Sequence, residues 1–254
     1  MTQIIAAIDG DILCYECGFA SDAAAKATGM TREPLGFCLN GVNKKIDSIL
    51  KNTEADDYIV FLTGSPVMGL PIRETLFSDY KKNRDSSHKP TWYKEIKEHL
   101  LKKHPNLLVI DGLEADDYLG MFGYEANVTS DKTVVIASKD KDLDMIPGYH
   151  YNWSKTKVDR GIYYVDELQA MRWFCEQMLV GDSTDNIPGL FKLFGKKATA
   201  ALKKPLEELD NNKALLQYVL EQYEGDETLF LRNGELLWIR RQPDETFTDF
   251  YKRR

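Results

Sequence analysis

The chain has 254 residues, 43% of them apolar and 29% charged, which is enough to bury a substantial core and unlike the composition of a disordered chain. No apolar run reaches the roughly 18 residues that span a bilayer, and no charged segment leads into a secretory apolar core, so a cytoplasmic protein without membrane partners is expected. A formal net charge of −7 excludes a polyanion-binding surface spread over the whole molecule and leaves the placement of individual charges to decide.

Residues 4–8 are a compact β-branched run that predicts a first strand, followed at once by Asp9-Gly10-Asp11. Cys14 and Cys17 have no second cysteine pair and no nearby histidine, so with Cys38 and Cys175 they are expected to be buried small residues of a reducing compartment. A helix is predicted over residues 33–51 and a second strand over 58–62, ending in Thr63-Gly64-Ser65 without a carboxylate. Gly64, Pro66, Gly69 and Pro71 then open a long irregular stretch that closes on the basic run Tyr80-Lys81-Lys82-Asn83-Arg84; a loop of this length is functional or mobile. Pro90 precedes a predicted helix over 91–104, and a third strand over 107–110 leads through Asp111 into a helix over 114–126. The fourth strand, 133–137, is followed by Asp140-Lys141-Asp142. Beyond residue 166 the pattern is helical, broken over residues 181–189 and near Gly195. Strands alternating with helices predict an α/β fold with a mostly parallel sheet over residues 1–165 and a smaller helical part over 166–254.

Ligands of an open α/β sheet bind beyond the carboxyl ends of its strands, and three of the four predicted strands are followed there by acids. Each cluster alone has an ordinary explanation. Glu114, Asp116 and Asp117 suit a helix N-terminus, Asp140 suits an N-cap, and Asp182 and Asp185 suit a turn. Together these explanations weaken, because converging carboxylates repel unless protons or cations lie between them. Oxygen donors without His or Cys select a hard cation, Mg2+ with Mn2+ as a substitute, and a pair of such ions suits in-line displacement at phosphorus.

In chain order, Ile8-Asp9-Gly10-Asp11, Asp79-Tyr80-Lys81-Lys82-Asn83-Arg84 with Lys89-Pro90, Leu113-Glu114-Ala115-Asp116-Asp117, Ser138-Lys139-Asp140-Lys141-Asp142 and the run from Gly181 to Gly189 (GDSTDNIPG) resemble the 5′-nucleases, the 5′-to-3′ exonucleases and flap endonucleases, with phage-encoded exonucleases the nearest in flavour. The resemblance implies a PIN-like nuclease core followed by a helix-three-turn-helix element. It implies a Mg2+-dependent 5′-to-3′ exodeoxyribonuclease of DNA replication or recombination, monomeric, acting on duplex ends, nicks or flaps with two metal ions. Asp9, Glu114 (through a water), Asp116 and Asp117 would build one metal site, and Asp140, Asp142, Asp182 and Asp185 the other. Lys81 and Arg84 match the basic pair that meets the scissile phosphate. Arg73, Tyr80, Lys82, Lys89, Gly189, Gly195, Lys196 and Lys197 are assigned to DNA, within a basic stretch that includes Lys192, Lys203 and Lys204, and Trp92 is a further candidate for base stacking.

Three features depart from the family pattern. Gly64 stands where an Asp usually follows the second strand, the hairpin from Gly189 to Gly195 is one residue long by comparison, and the segment between Lys81 and Glu114 is short for a threading arch, which favours exonuclease action. The rival reading is a haloacid-dehalogenase-like phosphatase with Asp9 as nucleophile; it requires a strand where residues 168–180 predict an amphipathic helix. A PIN-type ribonuclease would lack the helical tail, and a DNA-binding relative without catalysis has Gly64 alone in its favour.

Overall fold

β1, Gln3–Asp9, runs through the middle of the sheet, and residues 5–8 are buried on both faces, which is why they read as a continuous apolar run rather than an alternating one. The computed structural model describes residues 3–64, 72–83, 89–104, 106–110, 112–129, 132–154 and 161–253. The sheet also contains β2 (Asp57–Thr63), β3 (Leu108–Ile110), β4 (Lys132–Ala137), β5 (Gly148–Tyr151) and β6 (Ile162–Val165), in the order β3-β2-β1-β4-β5-β6. All neighbours are parallel except β5 and β6. The predicted α/β class is thus the observed one. β5 and β6 carry little signal in the sequence because each is only four residues long, β5 as Gly-Tyr-His-Tyr and β6 as Ile-Tyr-Tyr-Val, whose residues favour a strand but are too few to show a period.

α1, Gly10–Ala27, is a further element that the sequence does not announce. Its buried face is made of Gly10, Cys14, Cys17, Gly18, Ser21 and Ala25 around Leu13, small residues that give no strong 3.6-residue apolar signal. α2 (Leu35–Thr53), α4 (Tyr93–Lys103) and α5 (Ala115–Thr129) fall within a few residues of their predicted positions, and a short α3 (Ile72–Leu76) lies in the stretch expected to be irregular. α6 (Glu167–Val180), opened by a capping box between Asp166 and Gln169, occupies the segment where a phosphatase would need a strand.

Helices α1, α2 and α4 cover one face of the sheet through Leu13, Val42, Ile46, Ile96 and Leu100, against Ile8, Val60 and Leu62. On the other face, Phe61, Val134 and Ile136 pack with Leu119 of α5, and the same core continues through Phe174 of α6 to Phe230, Trp238 and Phe247. These last belong to the helical part: α7 (Leu190–Phe194), α8 (Ala200–Glu208), α9 (Asn212–Gln222), α10 (Glu227–Leu237) and α11 (Phe247–Lys252). A shared core holds the helical part at a fixed place beside the carboxyl edge of the sheet. The four cysteines are buried and unbridged, and burial pushes the Cys17 thiol up to about 12, so they behave as core residues. Among the described residues no helix is long and apolar enough to cross a membrane.

Candidate active site

At the end of β1 the chain turns directly into α1, and Asp9 is the N-cap, its Oδ1 accepting from Ile12 N at 3.0 Å. Only glycine fits next: a Cβ at Gly10 would lie 2.5 Å from the carbonyl oxygen of Phe61 on β2. The other Asp9 oxygen accepts from Ser138 Oγ at 2.7 Å, and that hydroxyl in turn accepts from Asp140 N at 2.9 Å. Asp140 caps the 3-10 helix Lys141–Met145, accepting from Asp142 N at 2.9 Å, and Gln177 of α6 donates to Asp142 Oδ1 at 3.0 Å. One hydrogen-bonded chain therefore links the ends of β1 and β4 to α6.

The fifth motif arrives by a different device. β7 (Gly181–Asp182) and β8 (Ile187–Pro188) form a short hairpin whose turn carries Asp182 and Asp185. The basic segment docks on this turn: Lys81 N donates to Asp185 O at 2.9 Å, Asn186 Nδ2 to Asp79 O at 2.8 Å and Asn83 Nδ2 to Ser183 O at 2.7 Å. Lys81 takes a left-handed φ of 56° to do so, and its ammonium pairs with Glu114 and, at 3.6 Å, with Asp185.

The result is an open cleft of about 390 Å³ lined by Asp9, Asp11, Glu114, Asp116, Asp140, Asp142, Asp182, Asp185 and Lys81, with Tyr15, Tyr93 and Thr63 at its walls. Burial, then the charges of Asp11 and Asp140, push Asp9 up to about 7 despite its two hydrogen bonds. Burial and the Asp140 charge likewise push Asp142 up to about 7. Burial and neighbouring carboxylates, Asp9 foremost, raise Asp116, and burial with Asp185 and Asp182 raises Asp140. Burial acts on Glu114 in the same sense, but Arg73 and Lys81 outweigh it and hold this carboxyl down at about 2.

These shifts bear on whether the site suits a metal. Several buried carboxylates that resist ionisation together are the donor set of a hard divalent cation, whose charge removes the repulsion. Asp11 Oδ1 is also buried with no hydrogen-bond partner. Among the described residues no three acids form a ready-made metal shell, so the carboxylates line a cleft that an ion would have to draw together. The residues fit hard cations that complete their coordination with water or substrate.

Some residues picked out in the sequence lie outside the cleft, and Arg73 and Tyr80 border it with their polar groups committed to the fold. Asp117 is 2% exposed and lies outside it, receiving Arg73 Nη1 and Nη2 at 3.0 and 2.8 Å and Arg240 N at 3.2 Å. Its oxygens are committed to fixing an arginine, so the structure does not bring it to the metal position. Arg73, assigned to DNA, borders the cleft but is buried: it also donates to Glu114 Oε2 at 2.8 Å and to the carbonyl of Trp238 at 2.6 Å, so both terminal nitrogens are committed to the fold. Tyr80, 4% exposed, donates its hydroxyl toward Glu114 and Asp185 at 3.0 and 3.1 Å and has no ring face free for a base. Trp92 donates to Glu33 O at 2.9 Å with Arg32 over its ring, away from the cleft.

Gly189 is buried, and a Cβ there would meet Val180 O at 2.0 Å, so its role is to let the hairpin close rather than to approach phosphate. Gly195 is exposed and left-handed at the end of α7, a helix stop. Lys82, Lys89, Lys196 and Lys197 remain accessible to different degrees; Lys82 pairs with Asp79 at 2.8 Å, Lys196 with Glu224 at 3.0 Å, and Lys89 lies over the Tyr93 ring at 5.0 Å. Arg84 and Asp111 lie outside the described residues. Asp11, Thr63, Tyr15 and Tyr93 line the cleft although their sequence context assigned them no role there. Asp11, two residues beyond Asp9 at a strand end, is the one with a readable signal.

A polar cleft at the carboxyl edge of a mostly parallel sheet, walled by carboxylates from both halves of the chain together with Lys81 and Lys141, defines a class of metal-assisted hydrolases. The chain belongs to the 5′-3′ exonuclease family: the family model described as the 5′-3′ exonuclease, N-terminal resolvase-like domain, matches residues 4–166. Members of this family are hydrolases of phosphodiester bonds. A 5′-3′ exonuclease of Buchnera aphidicola from Acyrthosiphon pisum is 30% identical over 215 residues, covering 81% of this chain and 72% of the relative. The exodeoxyribonuclease of Enterobacteria phage T3 is 27% identical over 179 residues, covering 69% of this chain, which spans only 54% of the phage protein. In fold, the chain is similar to the bacteriophage T5 flap endonuclease solved as a complex with DNA and metal ions, with a TM-score of 0.64 at 18% identity over 99% of this chain and 97% of that one.

Proposed function

We propose that the protein is a Mg2+-dependent 5′-to-3′ exodeoxyribonuclease that removes nucleotides from DNA 5′ ends, as a monomer acting in the cytoplasm during DNA replication or recombination. The observation that carries this reading is the convergence of Asp9, Glu114, Asp116, Asp140, Asp142, Asp182 and Asp185 on one cleft together with Lys81. Two divalent ions, when bound, would supply an activated water and charge compensation for both the attacking and the leaving oxygen. Asp9, Asp116 and Asp140 would hold one of them, and Asp140, Asp142, Asp182 and Asp185 the other.

The remaining groups prepare the site. Arg73 and Tyr80 both bind Oε2 of Glu114, which turns Oε1 toward Lys81. Lys81 is held by its backbone as well as its side chain, so its ammonium is a preorganised positive charge at the place where negative charge grows on a phosphate. DNA would reach the cleft past Lys89 and Lys82, with Lys192 and Lys197 following the backbone further away.

Sizing the products from 5′-labelled and 3′-labelled duplex, nicked and flapped DNA in Mg2+ tests the proposal. Mononucleotides released from 5′ ends, and nothing in EDTA, are the expected outcome. Short oligomers cut only at flap junctions would move the activity to flap endonuclease, and DNA intact in both conditions would overturn the reading.

A further inference from the structure

Among the strands β1 to β4, only the end of β2 is not followed by an acid in the sequence: Thr63 is followed by Gly64, which has no side chain to contribute. Asp11, in the first turn of α1, stands beside that end. Its Oδ2 accepts from Thr63 N at 3.1 Å, and its side chain lines the cleft with Asp9 and Asp116. Its Oδ1 is buried and has no hydrogen-bond partner.

Capping Thr63 N needs one acceptor oxygen and no charge, so Asn or Ser would serve equally well. A charged group with one oxygen buried and unpaired is costly, and more so beside Asp9 and Asp116, where every added negative charge is opposed. The N-terminus of α1 favours an acid in its first turn but gives the unpaired oxygen no partner, whereas a bound cation would. We propose that Asp11 is a further carboxylate of the metal position around Asp9 and Asp116, supplying from α1 the acid that β2 lacks. The inference rests on the nuclease reading of the cleft.

The test uses the full chain stripped of metal, with Mn2+ as the probe, binding read by calorimetry and electron paramagnetic resonance, and folding by the metal-free melting temperature. Asp11→Asn keeps the cap on Thr63 N and removes the charge; Asp11→Ser serves if the first variant melts early. The expected result is a loss of Mn2+ affinity of about tenfold or more, with a metal-free melting temperature equal to or above that of the wild type. Wild-type Mn2+ affinity and stoichiometry in Asp11→Asn would reduce Asp11 to a strand cap and overturn the inference alone. A wild-type protein that binds no Mn2+ would overturn the nuclease reading and this inference with it.

Discussion

Lys81 combines three constraints in one residue: a left-handed backbone, a main-chain bond to the Asp185 carbonyl and an ammonium between Glu114 and Asp185. A side chain so fixed acts on the chemical step more than on affinity. Lys81→Ala should therefore lower the single-turnover cleavage rate by about 100-fold or more while DNA affinity changes little, and a loss confined to affinity would contradict that role. The carboxylates make a separate prediction for the metal-free protein. Asp9 and Asp142 titrate near 7 in the fold and near 4 when unfolded, so the folded state holds protons that the unfolded chain has released. Their contribution to stability must then fall as pH rises from about 4 to 7 and level off above it, and over the upper part of that window Glu114, held down at about 2, is ionised in both states and contributes no slope. Thermal melts in EDTA should show that fall and saturating Mg2+ should flatten it; a metal-free melting temperature that rises over the window would refute the crowding of charges.

Among the elements, the connection from α3 to the stretch after α10 is the least expected. Arg73 ties α3 to Glu114 and Asp117 of the α5 turn and to the Trp238 carbonyl, so the helical part is fastened next to the acids. Arg73→Ala would leave Asp117 buried without its partner, and a loss of about 3–5 kcal/mol in chemical denaturation is expected. A loss within about 0.5 kcal/mol would show that the network is slack. The acids at strand ends were legible because a strand, a cap and a metal ligand use the same short run of sequence, as Asp9 and Asp140 do. Arg73, Tyr80 and Asp117 were assigned to DNA or metal because their types suit those roles; nothing local reveals that they are buried on one another across more than thirty residues. The docking of residues 79–83 on the Asp182–Asp185 turn was hidden for the same reason, and α1 because small residues build its buried face.

For the molecule as a whole, a net charge of −7 coexists with a DNA-directed reading because the acids concentrate in one cleft, where bound divalent ions would offset them. The basic stretch beyond the hairpin is less available than its composition suggests. Lys203 pairs with Glu176 at 2.7 Å, Lys204 with Glu208 at 3.6 Å and Lys196 with Glu224 at 3.0 Å, which makes Lys192 and Lys197 the better candidates for phosphate. Replacing Lys192 and Lys197 by Ala should weaken duplex binding about equally for all sequences and lower the salt slope by about 1 for each phosphate no longer neutralised, with the cleavage step unchanged. An unchanged slope would place the DNA elsewhere.

For the cleft to work as a nuclease site, acids from distant parts of the chain must hold hard divalent ions together. Anomalous scattering from crystals of the full chain soaked in Mn2+ measures this directly. Two peaks are predicted in the cleft, one among Asp9, Asp116 and Asp140 and one among Asp140, Asp142, Asp182 and Asp185. A cleft without a peak at saturating Mn2+, or peaks only on the outer surface, would contradict it.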